Sequence, residues 1–366
     1  MNQVGRICRS ALIIGRCGNA ALPWLSLCLA CLAIDSTNLS AAEEPRILTL
    51  EGSITGVHDP VVIKEKDTYY LFNTGGSRGG GAGGGSIPVR TSKDMINWTN
   101  VGFALEPGLP AWVRTELPNS GNSAWAPDIS FFNGEYHLYY AVSSFGSRNS
   151  VLGLATTKTL DRSSPDYQWV DQGMVLRSYD TAEHRDDWNA IDPNLVIEGG
   201  TNVWLTWGSF WSGIKMKRIN YETGKPFPGD TNMISISSRE RARPINGSVE
   251  APFIYRHETN WYLFVSFDRC CQGSNSTYNV VVGRSPNITG PYSDKDGKLM
   301  TEGGGSLVIN STEGAWRGPG HEAVLREGGQ DYLFMHAYPV QGRGSSLQIS
   351  TMLWDEKGWP RVGKLP

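Results

Sequence analysis

Three acidic side chains, Asp59, Asp192 and Glu250, lie in turns whose spacing could bring them together for acid–base chemistry. Each belongs to an Asp-Pro or Glu-Ala-Pro turn directly before an apolar run. A carboxylic acid with a raised pKa beside an ionised carboxylate can split a glycosidic bond, because one protonates the departing oxygen while the other activates water or attacks carbon. Taken singly, an Asp before Pro more often only starts a turn. The hypothesis therefore depends on elements that would gather all three.

The chain repeats one layout five times, and the acidic turns recur within it. A turn with a small or acidic residue is followed by an apolar strand, a polar hairpin turn and an aromatic-rich strand. The five copies read HDPVVIKEKDTYYLFNT, APDISFFNGEYHLYYAV, DPNLVIEGGTNVWLTWG, EAPFIYRHETNWYLFVS and GHEAVLREGGQDYLFMH. The spacings between Asp59, Asp128, Asp192, Glu250 and His321 are 69, 64, 58 and 71 residues. A further alternating strand and a turn follow each hairpin, so each copy supplies about four strands.

Five units of about four strands predict an all-β fold, a single five-bladed β-propeller over residues 43–366. The innermost strands of a propeller line its axis, so the turns before them should converge on one funnel. We expect Asp59, Asp128, Asp192, Glu250 and His321 to gather there, with at least one carboxyl pKa raised by mutual repulsion. Asp128 follows its proline, out of register with Asp59 and Asp192, and is expected to be structural.

The composition agrees with this fold and excludes several function classes. The chain has 366 residues, a formal charge of −3, 43 Gly and 20 Pro, and 19% of its residues are charged. The near-neutral balance without a long basic run argues against a nucleic-acid partner. An apolar content of 39% argues against disorder. Abundant Gly, Pro and aromatic residues favour short strands and tight turns.

The amino terminus predicts a cleaved export signal over residues 1–42. Arg6, Arg9 and Arg16 precede an apolar stretch that is short for a membrane span, and small residues follow it. The alternative is an N-terminal anchor helix or a lipid tether. We expect an exported monomer, extracellular or periplasmic, with no membrane span in the mature form. Without residues 1–42 the chain keeps only two cysteines, Cys270 and Cys271, which form either a vicinal disulfide or a buried thiol pair.

Aromatic and imidazole side chains near the axial turns are candidate ligand contacts. Sugar rings stack their C–H faces on aromatic side chains, which favours Trp125 and the segment Ser209, Phe210 and Trp211 as substrate contacts. An axial His with several waters could hold a hard cation such as Ca²⁺. The Gly-rich stretch 75–85 lacks the Gly-Lys-Ser/Thr ending of a phosphate loop and is interpreted as a surface loop at a hairpin end.

The sequence resembles glycoside hydrolase family 43, and within it the endo-α-1,5-L-arabinanases. The resemblance covers residues 43–366 and rests on the motifs VHDP, SAWAPDIS, NAIDPNLV, WGSFWSGIKM, SVEAPFIY, FDRCCQGSNSTYNVVVGRS and GPGHEAV. It implies a five-bladed propeller that cleaves internal linkages of arabinan, or of pectic side chains, with inversion. It implies that Asp59 is the base, Glu250 the acid, Asp192 the residue that tunes the acid, and His321 the ligand of an axial cation. The cation is expected to be Ca²⁺, with Na⁺ as the alternative.

The substrate-binding residues expected on this basis are His58, Trp125, Asn189, Ser209, Phe210 and Trp211. The Gly-rich expansion between Asn73 and Ile87 departs from the family pattern and could alter a loop beside the groove. One alternative is an exo-acting α-L-arabinofuranosidase or β-xylosidase of the same family. Another is a non-catalytic sugar-binding propeller, which would have no need of all three acids.

Overall fold

The computed structural model describes residues 43–75, 86–240 and 248–366, which form five sheets, antiparallel except where β1 pairs with β5. The first holds β1 (Glu51–Gly52), β2 (Val61–Glu65), β3 (Thr68–Phe72), β4 (Ser86–Ser92) and β5 (Asn97–Leu105), and the second holds β6 (Trp125–Phe132), β7 (Glu135–Val142), β8 (Ser150–Thr157) and β9 (Val170–Ser178). A short helix, α1 (Ala111–Glu116), lies between these two sheets in the sequence.

The other three sheets repeat the plan. The third holds β10 (Asn194–Gly199), β11 (Asn202–Trp207), β12 (Ile214–Asn220), β13 (Lys225–Pro226) and β14 (Ile234–Ser237). The fourth holds β15 (Val249–His257), β16 (Asn260–Phe267), β17 (Asn279–Ser285) and β18 (Ser306–Ile309). The fifth holds β19 (Trp316–Glu327), β20 (Gln330–Pro339), β21 (Ser346–Trp354) and β22 (Pro360–Val362). The five sheets are the blades of a five-bladed β-propeller, which confirms the predicted fold.

Two predicted segments fall outside the described residues. These are the export signal over residues 1–42 and residues 76–85 of the Gly-rich loop. Within the described part of the chain, no helix is both long enough and apolar enough to cross a bilayer.

The hairpin turns form where the sequence places residues that accept a left-handed backbone. Between β6 and β7, Asn133 and Gly134 have φ values of 50° and 78°. A two-residue turn of this kind matches the right-handed twist of the flanking strands. β6 is buried from Ala126 to Ile129, and β7 is buried from Tyr136 to Val142. The core lies between neighbouring blades, where for example Phe264 of the fourth blade packs with Leu333 and Met335 of the fifth.

One residue in the left-handed conformation lies in or just before each innermost strand. These residues are Asp59, Ala126, Asp192, Ala251 and His321, with φ between 42° and 56°. Pairing with the second strand is irregular at this point in three of the blades. The equivalence expected from the sequence is therefore wrong by one residue for Glu250, which precedes the left-handed Ala251. The prolines indicate the correct alignment: Asp192-Pro193 aligns with Ala251-Pro252, which places Ala251 rather than Glu250 at the left-handed position.

The topology gathers one set of loops on the face where the inner strands begin. Trp125 at the start of β6 pairs with Ala141 near the end of β7, and Gly320 of β19 pairs with His336 of β20. The loops after the second strands, such as 208–213 and 268–278, therefore lie beside the inner-strand turns. Any change in these loops acts directly on what the axis can bind.

The first residues of the described chain close the ring of blades. Ile47 and Thr55 bridge to Ser350 and Ser346 of β21. The Leu48 N–H donates to the Ile349 carbonyl at 2.8 Å, and the Leu347 N–H donates to the Ile54 carbonyl at 2.9 Å. Residues 46–55 thus pair with β21 of the last blade and then continue into the first blade. A propeller closed in this way leaves one edge fewer for unwanted strand pairing.

Candidate active site

Asp59 is a buried carboxylate that faces hydrogen-bond donors on both oxygens. Its Oδ1 lies 3.0 Å from His321 Nδ1, and its Oδ2 lies 2.8 Å from His58 Nδ1. Thr74 Oγ1 also donates to Oδ2. Burial raises the pKa of Asp59, but the two imidazoles outweigh it and hold this pKa well below its usual value. Asp59 is therefore ionised at any pH near neutral and is ready to accept a proton.

Asp192 and Glu250 form a second, interacting pair of buried carboxyls. The backbone N–H of Ala251, the residue after Glu250, donates to Asp192 Oδ2 at 3.1 Å. Asp192 therefore lies beside the backbone that carries the Glu250 side chain. Glu250 Oε2 accepts a hydrogen bond of 2.6 Å from Ser209 Oγ, and Tyr278 also hydrogen-bonds the Glu250 carboxyl. The sequence-predicted acids Asp59, Asp192 and Glu250 act on one another electrostatically, as axial convergence requires.

Burial raises the pKa of Glu250, and Asp59 raises it further, against the hydroxyls of Ser209 and Tyr278. Burial also raises the pKa of Asp192 well above its usual value, with Glu250 and Asp59 adding to the shift and His321 opposing it. A proton held here belongs to the pair rather than to one residue. The site thus combines an ionised carboxylate with a carboxyl pair that retains a proton, and this combination can perform general acid–base catalysis.

His321 contacts the Asp59 carboxylate and could also hold a cation. Burial lowers its pKa, but the Asp59 carboxylate outweighs this and raises the pKa of His321 to about 9. Beside it, Glu322 Oε2 accepts a hydrogen bond from Ser266 Oγ at 2.8 Å, while the buried Oε1 has no partner among the described residues. Burial raises the pKa of Glu322 to about 7. An unpaired carboxylate oxygen and one imidazole fit a hard cation that fills most of its shell with water.

Two other groups of metal-binding side chains occur within the described residues, and neither includes His321. They are His58, Asp59 and His336, and His58 with Cys270 and Cys271. In the first group the imidazole nitrogens are already engaged in hydrogen bonds or close ionic contacts. In the second, the two cysteines form a disulfide. A cation on His321 would therefore have a single direct protein ligand among these residue types.

The predicted substrate contacts lie at or beside the same turns. Trp125 begins the inner strand of the second blade and is half-buried. Phe210 and Trp211 are half-buried, with consecutive left-handed φ values of 56° and 41°, and their rings meet edge to face at 6.4 Å. Ser209 is buried and donates to Glu250. The loop 208–213 therefore links the acid to two aromatic surfaces.

Asn189 differs from the other predicted contacts because its side chain is turned into the protein. It is 2% exposed, and its Oδ1 accepts a 2.6 Å hydrogen bond from Ser150 Oγ. Its amide nitrogen lies 3.5 Å from the Ser147 carbonyl. These contacts hold together the loops around the axis. A direct contact between Asn189 and a substrate stays a prediction.

Several site residues were missed because no motif marks them. Tyr278 is fully buried and reaches Glu250 from β17's preceding loop. A Cβ on Gly320 would lie 2.1 Å from the Tyr278 ring, so a glycine is required for the tyrosine to fit. His336 and Tyr338, on β20, reach Asp59 and His58. The one available signal was their place at the end of a second strand, next to the inner turns.

The cysteines form a disulfide between neighbouring residues, one of the two predicted alternatives. Cys270 and Cys271 lie in the loop between β16 and β17, with a Cα–Cα distance of 3.8 Å. The Cys271 N–H donates to the hydroxyl of Tyr338 at 2.9 Å, and Cys271 Sγ lies 3.7 Å from His58 Nε2. The loop therefore touches the residues behind Asp59.

Comparisons with known proteins agree with this chemistry. An exo-α-(1→5)-L-arabinofuranosidase named ArbA, extracellular, of Cellvibrio japonicus is 40% identical over 316 residues, which cover 84% of this chain and 86% of that protein. An extracellular endo-α-(1→5)-L-arabinanase of Bacillus subtilis is 40% identical over 306 residues, which cover 83% and 87%. The solved structure of an endo-arabinanase from Bacillus licheniformis superposes with a TM-score of 0.75 at 44% identity, over 86% of this chain and 99% of that one. The family model of glycosyl hydrolases family 43 matches residues 53–360, and the chain belongs to that family.

Proposed function

We propose that this protein is an exported endo-acting hydrolase that cleaves internal α-1,5-L-arabinofuranosyl linkages of arabinan with inversion. The observation that carries the proposal is the contrast between an ionised Asp59 and the proton-retaining pair of Asp192 and Glu250 in one buried cluster. Relatives that are 40% identical are named for action on α-(1→5)-L-arabinan linkages and as extracellular. This supports both the substrate and the export.

In the proposed reaction, Asp59 takes a proton from a water molecule whose oxygen attacks the anomeric carbon. Glu250 gives its proton to the departing glycosidic oxygen as that bond breaks. Asp59 ends protonated and Glu250 ionised, and exchange with solvent restores both. Asp192 tunes the acid, because the two buried carboxyls share a proton and Asp192 accepts a hydrogen bond from the backbone N–H next to Glu250. His58, Thr74 and His321 orient the base by donating to its oxygens.

A cation at His321 is part of the proposal. It would be held directly by the His321 ring nitrogen that does not face Asp59, which would lose its proton on binding, and through water by the Asp59 and Glu322 carboxylates. When bound, it would supply fixed positive charge that favours the ionised form of Asp59. Removal of the cation by a chelator should lower the melting temperature as well as the rate, and Ca²⁺ should restore both. Substitution His321→Gln should abolish the Ca²⁺-dependent change in melting temperature, and an unchanged response would contradict the assignment.

Exo cleavage is the second candidate, because the Cellvibrio enzyme named as exo-acting is as similar as the Bacillus endo enzyme. The two activities differ in whether the groove on the propeller face is open at both ends. The Ser-Phe-Trp-Ser-Gly and Cys-Cys segments favour the endo activity by resemblance.

Product analysis on linear, debranched arabinan tests the proposal. Mixed oligosaccharides early in the reaction support endo cleavage, and arabinose alone supports exo cleavage. The anomeric configuration of the first product, read by NMR before mutarotation, tests inversion. Parallel assays on xylan and on an aryl arabinofuranoside test the substrate class. Binding of arabinan without any release of sugar would instead support a non-catalytic sugar-binding propeller.

A further inference from the structure

The Tyr338 hydroxyl lies at the centre of a buried hydrogen-bonded group next to Asp59. The proposed reaction assigns no role to Tyr338 or to its neighbour His336. It lies 2.8 Å from His58 Nε2 and 3.1 Å from His336 Nε2, and it accepts from the Cys271 N–H at 2.9 Å. His336 is completely buried, and Tyr338 is 4% exposed. The rings of His58 and His336 stack with centroids 4.0 Å apart. Such close packing fixes which atoms face each other.

The proton position on His336 follows from a backbone donor. The Asp59 N–H donates to His336 Nδ1 at 3.1 Å. A backbone N–H can only donate, so Nδ1 must be an unprotonated acceptor. The proton of the neutral ring is then on Nε2, which faces Tyr338. Burial holds the pKa of His336 well below its usual value, in agreement with a neutral ring.

The direction of the Tyr338 hydroxyl follows in turn. A phenol oxygen accepts two hydrogen bonds and donates one. Cys271 N–H and His336 Nε2–H occupy both acceptor positions, so the Tyr338 proton must be donated. Its two available acceptors are His58 Nε2 at 2.8 Å and Cys271 Sγ at 4.0 Å. The nitrogen is the stronger and closer acceptor.

His58 is thereby left with its proton on Nδ1. This atom lies 2.8 Å from Asp59 Oδ2 and, among the described residues, has no better-aligned partner. The Nδ1–H and the carboxylate oxygen are close but not aligned as a linear hydrogen bond, which is common for catalytic contacts in the absence of a substrate. The sequence of donors thus starts at the backbone N–H of Asp59, passes through His336, Tyr338 and His58, and returns to the Asp59 side chain.

We propose that His336 and Tyr338 are positioning residues that fix the tautomer of His58, so that its Nδ1–H points at the catalytic carboxylate. The opposite tautomer would turn a nitrogen lone pair toward Asp59 Oδ2 and repel it. Thr74 is directed in the same way, because it accepts from the Ala126 N–H at 2.7 Å and must donate its own proton to Asp59. The effect on rate rests on the proposed function, whereas the tautomer does not.

Nitrogen NMR of the imidazole rings tests the tautomer directly in the intact protein. The chain has six His, which single His→Asn variants can assign. We expect His58 protonated on Nδ1 and His336 protonated on Nε2. A proton on His58 Nε2 would overturn the proposal. In Tyr338→Phe the preference of His58 for Nδ1–H should weaken, and an unchanged spectrum would also overturn it.

Kinetics on debranched arabinan test the consequence for Asp59. Tyr338→Phe should lower kcat by about 10- to 100-fold, the usual cost of removing a residue that orients a catalytic ligand, with little change in KM. Tyr139→Phe is the matched control, because it removes a buried hydroxyl of the second blade, which donates to the Gly224 carbonyl of the third blade at 2.7 Å. Its kcat should equal that of the wild type.

The conservative variant at His336 separates positioning from packing. His336→Gln keeps a side-chain N–H near Nε2 and should retain more of kcat than His336→Ala, while equal losses would contradict the role. Should the wild type cleave neither arabinan nor aryl arabinofuranosides, the proposed function fails. The NMR measurement would still decide the tautomer.

Discussion

Asp59 and Glu250 are both buried carboxyls, but they have different neighbours. Imidazole groups face Asp59, and hydroxyl groups face Glu250. Neighbours that are positively charged or donate an N–H favour the ionised form, whereas burial beside other carboxyls favours the protonated form. The difference in environment, rather than the residue type, separates the base from the acid.

Replacement of the acid should depend on the leaving group. We expect Glu250→Gln to lose about 10²–10⁴-fold in kcat on arabinan, and much less on an aryl arabinofuranoside whose leaving group needs no proton. Glu65→Gln is the matched control. Glu65 is the last residue of β2, at the end opposite the inner turn, where it accepts hydrogen bonds from the Thr159 hydroxyl and the Leu160 N–H. Full activity of Glu250→Gln on arabinan would refute its role as acid.

The hydroxyl of Tyr278 should set the alkaline limb of the pH profile. Its hydrogen bond to Glu250 favours the ionised form and lowers the pKa of that carboxyl. In Tyr278→Phe this pKa therefore rises, the acid keeps its proton to higher pH, and the alkaline limb of kcat/KM should move up by about one pH unit. Tyr139→Phe should leave the limb in place. A downward shift in Tyr278→Phe would contradict the assignment.

At the scale of the strands, polar side chains couple neighbouring blades near the axis. Asp128 accepts hydrogen bonds from Asn194 Nδ2 at 3.0 Å and from the Leu195 N–H at 2.9 Å. Asn194 in turn accepts from the Ile254 N–H at 2.9 Å. The second, third and fourth blades are thus joined in series. Asp128 has the structural role expected of it and is not at the left-handed position.

Burial raises the pKa of Asp128 to about 6 from 3.8. The folded state then binds more protons than the unfolded state between about pH 4 and 6, so stability falls as pH rises through that window. Relative to Asp128→Asn, the wild type should lose on the order of 1–3 kcal/mol between pH 4 and pH 7. Urea unfolding of both proteins at the two pH values measures this. A constant difference would show that the pKa of Asp128 is not raised.

The repeats predict the fold and most of the cluster for a physical reason. Strand alternation, Asn-Gly turns and recurring prolines are local signals, and repetition converts them into positions around an axis. An alignment of the acids hides the offset of Glu250, whereas an alignment of the prolines shows it. Tyr278, His336 and Tyr338 could not be predicted, since side chains that reach across blades leave no spacing pattern in the sequence.

For the whole molecule, closure of the ring depends on residues 46–55. This segment contributes backbone hydrogen bonds to β21, and Leu48, Leu50 and Ile54 pack against the core. A chain beginning at Gly56 should lose on the order of 5 kcal/mol of unfolding free energy relative to one beginning at Glu43. Urea titrations of the two chains test this. Superimposable curves would show that the last blade is stable without its added edge.

The same closure sets an order of events during biosynthesis. The partner of Leu48 is Ile349, so residues 46–55 cannot pair until almost the entire polypeptide has been synthesised. Contacts between such distant positions form late and slow the search for the native state. Until then the first and last blades each expose an unpaired strand edge. The ring of blades therefore cannot close blade by blade during synthesis. Until its last blade has been synthesised, the chain stays unfolded enough to pass through a narrow translocation channel.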